Sequence, residues 1–151
     1  MSRYRRVNID GKSLFKTETR KTAAALLPGT FAVINGSDLF AQASASVGRL
    51  YVIDCAHHEG LSIRDAVPVG HSAVGNYVEE GRELAVLCPA GTYKKDTPIK
   101  LGTSGQGAIA SSDTDTVLGY SQDDAVIASG ETDFIRIRIR FRVGSVAAPA
   151  P

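Results

Sequence analysis

The clearest pattern in the sequence lies near the end of the chain, in Phe134-Ile135-Arg136-Ile137-Arg138-Ile139-Arg140-Phe141-Arg142-Val143. From Ile135 onwards apolar and basic side chains alternate strictly. Successive side chains of a β-strand point to opposite faces, so a period of two is the pattern of a strand. The stretch therefore predicts one long strand with a buried apolar face and an exposed arginine face.

Shorter apolar segments precede this strand, and turn residues separate them. Leu27-Pro28-Gly29-Thr30 predicts a turn, because proline presets φ and glycine tolerates a positive φ. Asn35-Gly36 predicts a hairpin between two apolar runs. Such signals recur about every 8–12 residues, which favours an all-β body, a small β-barrel or a sandwich, of about nine short strands.

The chain divides into three predicted segments: a basic N-terminal arm (1–25), the body (26–144) and a disordered tail (145–151). Residues 1–21 hold seven basic residues against two acidic ones, a net charge of +5, whereas the remainder carries −4. A basic extended arm on a mildly acidic body is typical of a segment that docks on an acidic surface or on nucleic acid. A solvated, frayed terminus is the alternative, and a short helix could form around residues 13–25.

Length and composition favour one soluble domain. The 151 residues are 43% hydrophobic and 22% charged, enough for a core and too apolar for a disordered chain. No run approaches the ~20 apolar residues of a membrane span, and the N-terminus lacks the apolar segment of a signal peptide. Because nothing suggests secretion, Cys55 and Cys88 are expected to be buried free thiols.

One segment contains the residue types of a catalytic or metal site, Asp54-Cys55-Ala56-His57-His58-Glu59. A Cys55 nucleophile would need His57 or His58 within about 3 Å of its thiol. A zinc site could draw on His71 and Cys88 as well, but the ligand spacing of zinc ribbons is missing. A polar loop is the simpler interpretation, so we expect no enzyme, no metal and no cofactor.

The arginine face has three open interpretations. The arginines could pair across strands with Glu79, Glu83 or Asp115. They could discourage aggregation through a strand edge. They could also form an electropositive patch for an acidic partner. Nucleic acid is the least favoured partner, because no aromatic side chain is expected on the outward positions to stack on bases.

The body also resembles a known family in its order of turns and apolar runs. The resemblance covers roughly residues 26–143 and leaves the arm outside. The segments that carry it, besides the alternating last strand, are Leu26-Leu27-Pro28-Gly29-Thr30-Phe31, Gly48-Arg49-Leu50-Tyr51-Val52-Ile53-Asp54, Gly60-Leu61-Ser62-Ile63, Gly75-Asn76-Tyr77-Val78, Gly81-Arg82-Glu83-Leu84, Lys95-Asp96-Thr97-Pro98-Ile99-Lys100-Leu101, Gly105-Gln106-Gly107 and Leu118-Gly119-Tyr120-Ser121. In this order they look like the β-tulip-type head decoration (cement) proteins of tailed bacteriophages.

This resemblance implies a structural protein of the virion, made in the host cytoplasm and bound to the outer capsid surface. Its expected partners are the major capsid protein and further copies of itself, as a homotrimer or a dimer, and it would stabilise contacts between capsid subunits. A β-barrel module for carbohydrate or peptide, or a head-fibre or tail component, is the alternative. The residues expected to touch the capsid are Arg3, Tyr4, Arg5, Arg6, Val7, Ile9, Arg136, Arg138, Arg140 and Arg142.

Overall fold

The computed structural model describes residues 2–7, 9, 16–46 and 48–143. Residues 142 and 143 are described by their backbone only. The predicted tail at 145–151 lies outside the described residues. Two 3₁₀ turns, His57–Glu59 and Thr103–Gly105, are the helical elements of the described part. Its ten strands are β1 (Thr17–Lys21), β2 (Phe31–Ile34), β3 (Phe40–Gln42), β4 (Tyr51–Ile53), β5 (Ser72–Tyr77), β6 (Glu83–Tyr93), β7 (Pro98–Leu101), β8 (Gly107–Ile109), β9 (Thr116–Ser121) and β10 (Ala125–Val143).

The strands form two five-stranded antiparallel sheets, which confirms the all-β prediction. The first has the order β1-β5-β4-β2-β3 and the second the order β6-β10-β9-β7-β8. Both sheets curl: one isolated bridge, Thr22 to Phe40, joins the two edges of the first, and Gly107 of β8 packs on Cys88 of β6 in the second. Neither described sheet closes through a full ladder, so the expectation of a barrel is wrong in this respect.

The last strand follows its predicted pattern up to Ile139. Ile135, Ile137 and Ile139 are fully buried. The alternation then breaks, because Ile139 pairs with Gly119 and Arg142 with Val117, so two residues of β10 oppose one of β9. A β-bulge of this kind re-aims the side chains beside it. Phe141, which the pattern places on the buried face, is consequently 45% exposed.

The central strands β2 and β4 of the first sheet are buried on both faces. Phe31 and Val52 join the larger core, which includes the inward residues of β6 and β10. Their neighbours in sequence, Ala32 and Ile53, belong to a second core on the opposite face. This core is covered by the segments around Leu26 and Val67, which pair with each other in an isolated bridge. The chain therefore builds three layers: sheet, sheet and loop.

Two local predictions need correction. Residues 17–21 of the lead-in form β1, paired with β5, and not a helix. The sparse apolar positions there leave no helical face to bury, whereas the extended backbone completes the sheet. The hairpin at Asn35-Gly36 exists, but its loop spans residues 35–39 and its positive φ belongs to Asp38. The Asn35 side chain accepts the N–H groups of Ser37 and Leu39 and holds the loop.

Gly29 joins the two sheets. Its N–H donates to the Ile53 carbonyl in the first sheet (2.8 Å), and its carbonyl accepts the Leu87 N–H from the second (2.9 Å). Its φ is +82°, and a Cβ placed there would lie 2.5 Å from Cε1 of Phe134. Glycine is required both for the backbone angle and for the close approach of β10.

Gly29→Ala should therefore destabilise the protein strongly. Left-handed backbone alone costs an alanine roughly 1–2 kcal/mol, and overpacking against Phe134 adds about 1–3 kcal/mol. Gly130 is the matched control, because its φ is +80° and a Cβ there meets nothing within 4 Å. Urea unfolding should show a clearly larger loss of unfolding free energy for Gly29→Ala than for Gly130→Ala; equal losses would contradict the packing argument.

Candidate binding surface

The outward side of β10 carries Arg136, Arg138 and Arg140, which we call the arginine face. Arg136 is half-buried, whereas Arg138 and Arg140 are exposed. Arg138 stands opposite Glu83 of β6 on one side and opposite Tyr120 of β9 on the other. The side chain of Arg142, the fourth predicted arginine, lies outside the described residues.

Two carboxylates partly neutralise this face. Glu83 accepts a hydrogen bond from Arg138 Nη2 at 2.7 Å and lies 3.9 Å from Arg136 Nε. Asp123 lies 3.8 Å from the same Nε. The predicted pairing with Glu83 is confirmed, but Glu79 and Asp115 pair instead with Lys16 (2.8 Å) and Lys100 (2.9 Å). Arg140 makes no ion pair with any described residue, so the face keeps a positive charge.

Asp123 also ties the arm to this face. It is 8% exposed and accepts the Arg136 N–H at 2.9 Å and the Tyr4 hydroxyl at 2.7 Å. Arg3 Nη2 lies 3.9 Å away. Burial, with the nearby Asp123 charge and its hydrogen bond, raises the pKa of Tyr4 to about 12, so this hydroxyl remains a donor throughout the physiological range. Sequence offered no signal for Asp123, since solvated loop acids are common.

The arm closes one edge of the second sheet. The Val7 carbonyl accepts the N–H of Ala85 at 3.0 Å, on the side of β6 that faces away from β10, and Val7 is fully buried. Tyr4 and Ile9 pack partly buried against the same core. Arg5 and Arg6 are exposed. Of the six predicted arm residues, therefore, the arginines are presented outward and the apolar ones contribute to the fold.

A second anchor holds the start of the arm. Arg64 donates to the Ser2 hydroxyl, to the Thr132 carbonyl (2.9 Å) and to Asp133 Oδ1 (3.2 Å). The same carboxylate oxygen accepts the Arg3 N–H at 3.3 Å. These contacts hold Ser2 and Arg3 beside β10, close to the arginine face.

Tyr4→Phe should loosen the arm without unfolding the body. It removes one hydrogen bond to a charged acceptor, worth about 1.5 kcal/mol, so amide exchange at residues 3–7 should become about tenfold faster. Hydrogen exchange measured by mass spectrometry reports this. Tyr120→Phe is the matched control, and equal exchange in both variants would show that the Asp123 contact does not hold the arm.

A groove crosses the arginine face, with a volume of about 570 Å³. Two aromatic residues line it: Tyr120 beside Arg138, and Phe141, which the bulge turns outward. We call it the arginine groove, and it is lined by Asp96, Tyr120, Gln122, Arg138, Arg140 and Phe141. The expectation that no aromatic side chain accompanies the outward arginines is therefore wrong, because the bulge could not be predicted from the alternation.

The segment around Cys55 was the candidate catalytic or metal site in the sequence. Cys55 Sγ lies 3.6 Å from His57 Nδ1, but it donates to the Leu61 carbonyl at 3.0 Å. Burial, followed by the charges of Asp54 and Asp65, raises the pKa of Cys55. A thiol whose pKa is raised is a poor nucleophile at neutral pH. Within the described ranges, no group of three or more His, Cys, Asp or Glu residues could hold a metal.

Both cysteines are free and buried, as predicted. Burial raises the pKa of Cys88 to about 12. Since only the thiolate reacts, we expect the native protein at pH 8 to resist Ellman's reagent for many minutes, whereas the protein in 6 M guanidinium (about the strength that unfolds most domains) exposes both thiols at once. Fast labelling of Cys55 in native protein would contradict this assignment.

His71 belongs to a separate exposed group with Glu59 and His58. Its Nδ1 lies 3.0 Å from the Glu59 carboxylate, and His58 Nε2 lies 3.8 Å from the same group.

No helix in the described part of the chain has the length and apolar character needed to cross a membrane.

Residues 1–139 match the family model of the XM1 gp53 minor capsid protein. A protein of Anaeromyxobacter sp. (strain Fw109-5), named tRNA (guanine-N(1)-)-methyltransferase, is 31% identical over 114 residues, which cover 70% of this chain. The chain spans 46% of that protein's length, so the named activity describes a much longer molecule.

The fold is similar to that of a solved phage protein, the head fibre gp8.5 N base of bacteriophage phi29. The TM-score is 0.56, and the match covers 87% of this chain and 98% of the other. Sequence identity is 13%, so the likeness concerns the fold.

Proposed function

Because the chain belongs to the XM1 gp53 minor capsid protein family and is a capsid-associated structural protein of a phage head, we propose that it is a decoration protein. It binds the outer surface of the assembled shell, as a homo-oligomer with a trimer favoured, and stabilises contacts between major capsid subunits. The observation that carries the proposal is the arginine face, an exposed positive surface on rigid strands whose Arg140 has no acidic partner among the described residues.

Binding of this kind stabilises a shell through mass action. A protein that binds assembled subunits and not separated ones shifts the equilibrium towards the assembled state. Several copies in one oligomer gain avidity, since each further contact becomes intramolecular. The exposed Arg5 and Arg6 add positive charge, while Val7 holds the arm to the edge of β6. The arm thus contributes to binding from a fixed position.

A second candidate function is that of a head-fibre base. The fold match, which covers 98% of the phi29 fibre base, favours it. It uses the same contact with the shell and differs in what extends outward from it. Cryo-electron microscopy of decorated shells separates the two, because a fibre base carries density that projects beyond the described body.

The proposal predicts that purified protein sediments with shells of its own phage and raises their melting temperature. Arg140→Glu should weaken this binding about tenfold or more, because avidity multiplies a loss at each copy. Lys21→Glu carries the same charge change on β1 and should bind as the wild type does. Raising the salt concentration from about 0.05 to 0.5 M should weaken binding, since screening affects exposed charges first.

Protein that never sediments with shells would refute the decoration function. Light scattering gives the oligomeric state in the same preparation, and a trimer would have three times the chain mass of 15.9 kDa. If the protein sediments with shells but is a stable monomer, capsid binding is supported and the proposed homo-oligomer is refuted.

A further inference from the structure

The arginine groove combines aromatic side chains with positively charged ones. The exposed Phe141 and the half-buried Tyr120 supply aromatic surface, and Arg138 and Arg140 supply positive charge. Its volume of about 570 Å³ lies within the range of about 300–1,000 Å³ that is typical of ligand clefts. Tyr120, Arg138, Arg140 and Phe141 stand on β9 and β10, in the middle of a hydrogen-bonded sheet, and Asp96 and Gln122 lie in the adjoining loops. The groove is therefore preformed.

The polar groups in the groove differ in how far they are already engaged. Gln122 is fully engaged: its Nε2 donates to the Tyr120 and Ser121 carbonyls, and its Oε1 accepts from Lys95 Nζ. Arg138 is shared with Glu83 at 2.7 Å. Arg140 and the Asp96 carboxylate have no partner among the described residues. One cation and one anion are therefore available to an incoming chain.

Resting on the proposed decoration function, we propose that the arginine groove binds an extended acidic peptide segment of the capsid shell. A carboxylate of the segment pairs with Arg140, and guanidinium–carboxylate pairs are strong and directional. An apolar neighbour packs on Phe141 and Tyr120. A backbone N–H of the segment donates to Asp96, which would otherwise repel an acidic ligand.

The Asp96 carboxylate favours a peptide over a nucleic acid as the ligand of the groove. A nucleic acid presents a phosphate at every residue and has to place one near this carboxylate, whereas a peptide offers N–H donors between its acidic side chains. The aromatic pair could stack on bases, so an oligonucleotide is the necessary competitor in the test. An acidic sugar also carries a carboxylate, and it tests whether the peptide backbone matters.

The test uses the full chain in solution without capsids. The probe is a fluorescein-labelled heptapeptide that alternates Glu with Leu, and its matched control has Gln in place of Glu. Fluorescence anisotropy should show binding of the Glu peptide at least tenfold tighter than binding of the Gln peptide. Arg140→Gln and Phe141→Ala should each weaken it about tenfold, whereas Lys21→Gln should leave it unchanged; thermal melting confirms that each variant is folded.

Several outcomes would overturn the inference: equal binding of the Glu and Gln peptides, unchanged binding by Arg140→Gln, or tighter binding of oligothymidylate or an oligogalacturonate. Parallel sedimentation with shells separates this inference from the proposed function. If wild-type protein and Arg140→Gln both bind shells equally while the peptide fails, decoration stands and the groove does not. If the peptide binds and shells do not, the groove is a site for acidic peptides, but decoration and the assignment of its ligand to the shell both fail.

Discussion

Gly29 holds the two sheets together, and the placement of β10 follows from this contact. One residue donates to β4 and accepts from β6, so the sheets are fixed relative to each other by backbone bonds and not only by side-chain packing. Phe134 fills the space that a side chain at this position would occupy. Phe134 directly precedes the alternating part of β10, so this contact lies beside the residues that carry the arginine face.

The buried Arg82, directly before β6, links the two sheets a second time. It is 4% exposed and donates to the carbonyls of Lys16 and Tyr77, each at 2.9 Å, and to the Asn76 side chain at 3.2 Å. A buried guanidinium is costly unless its donors are engaged, and the Lys16 and Tyr77 carbonyls and the Asn76 side chain engage the Nη groups of Arg82. The two sheets are thus linked just before β6 and again at Leu87 within it, which makes β10 a rigid platform for binding.

Much of the fold could be predicted from short-range patterns, and the errors have physical causes. The period of two in 135–139 determined the buried face of β10, and Pro28-Gly29 determined the turn. The bulge at Arg140 and Phe141 depends on the register between β9 and β10, which no local pattern encodes. β1 was missed for a similar reason: a polar segment becomes a strand only when β5 is available to pair with it.

The same distinction applies to the binding surface. The arginines were predictable because charge alternation is visible in sequence, and so was the pairing with Glu83. Tyr120 and Phe141 were not, since their position beside the arginines follows from strand pairing and from the bulge. Asp123 was not recognised either, because its burial results from contacts with the arm and with β10, over a hundred residues and thirteen residues away respectively.

The anchored arm has a practical consequence for engineering. Ser2 and Arg3 are held beside β10 by Arg64, Asp133 and Asp123, so a peptide fused ahead of them would emerge next to the arginine face. A cargo displayed there would compete sterically with the shell for that surface. The four-residue protrusion at Ala128–Glu131, which is solvent-exposed and interrupts the pairing of β6 with β10, offers a more permissive point of insertion for displayed epitopes or affinity tags.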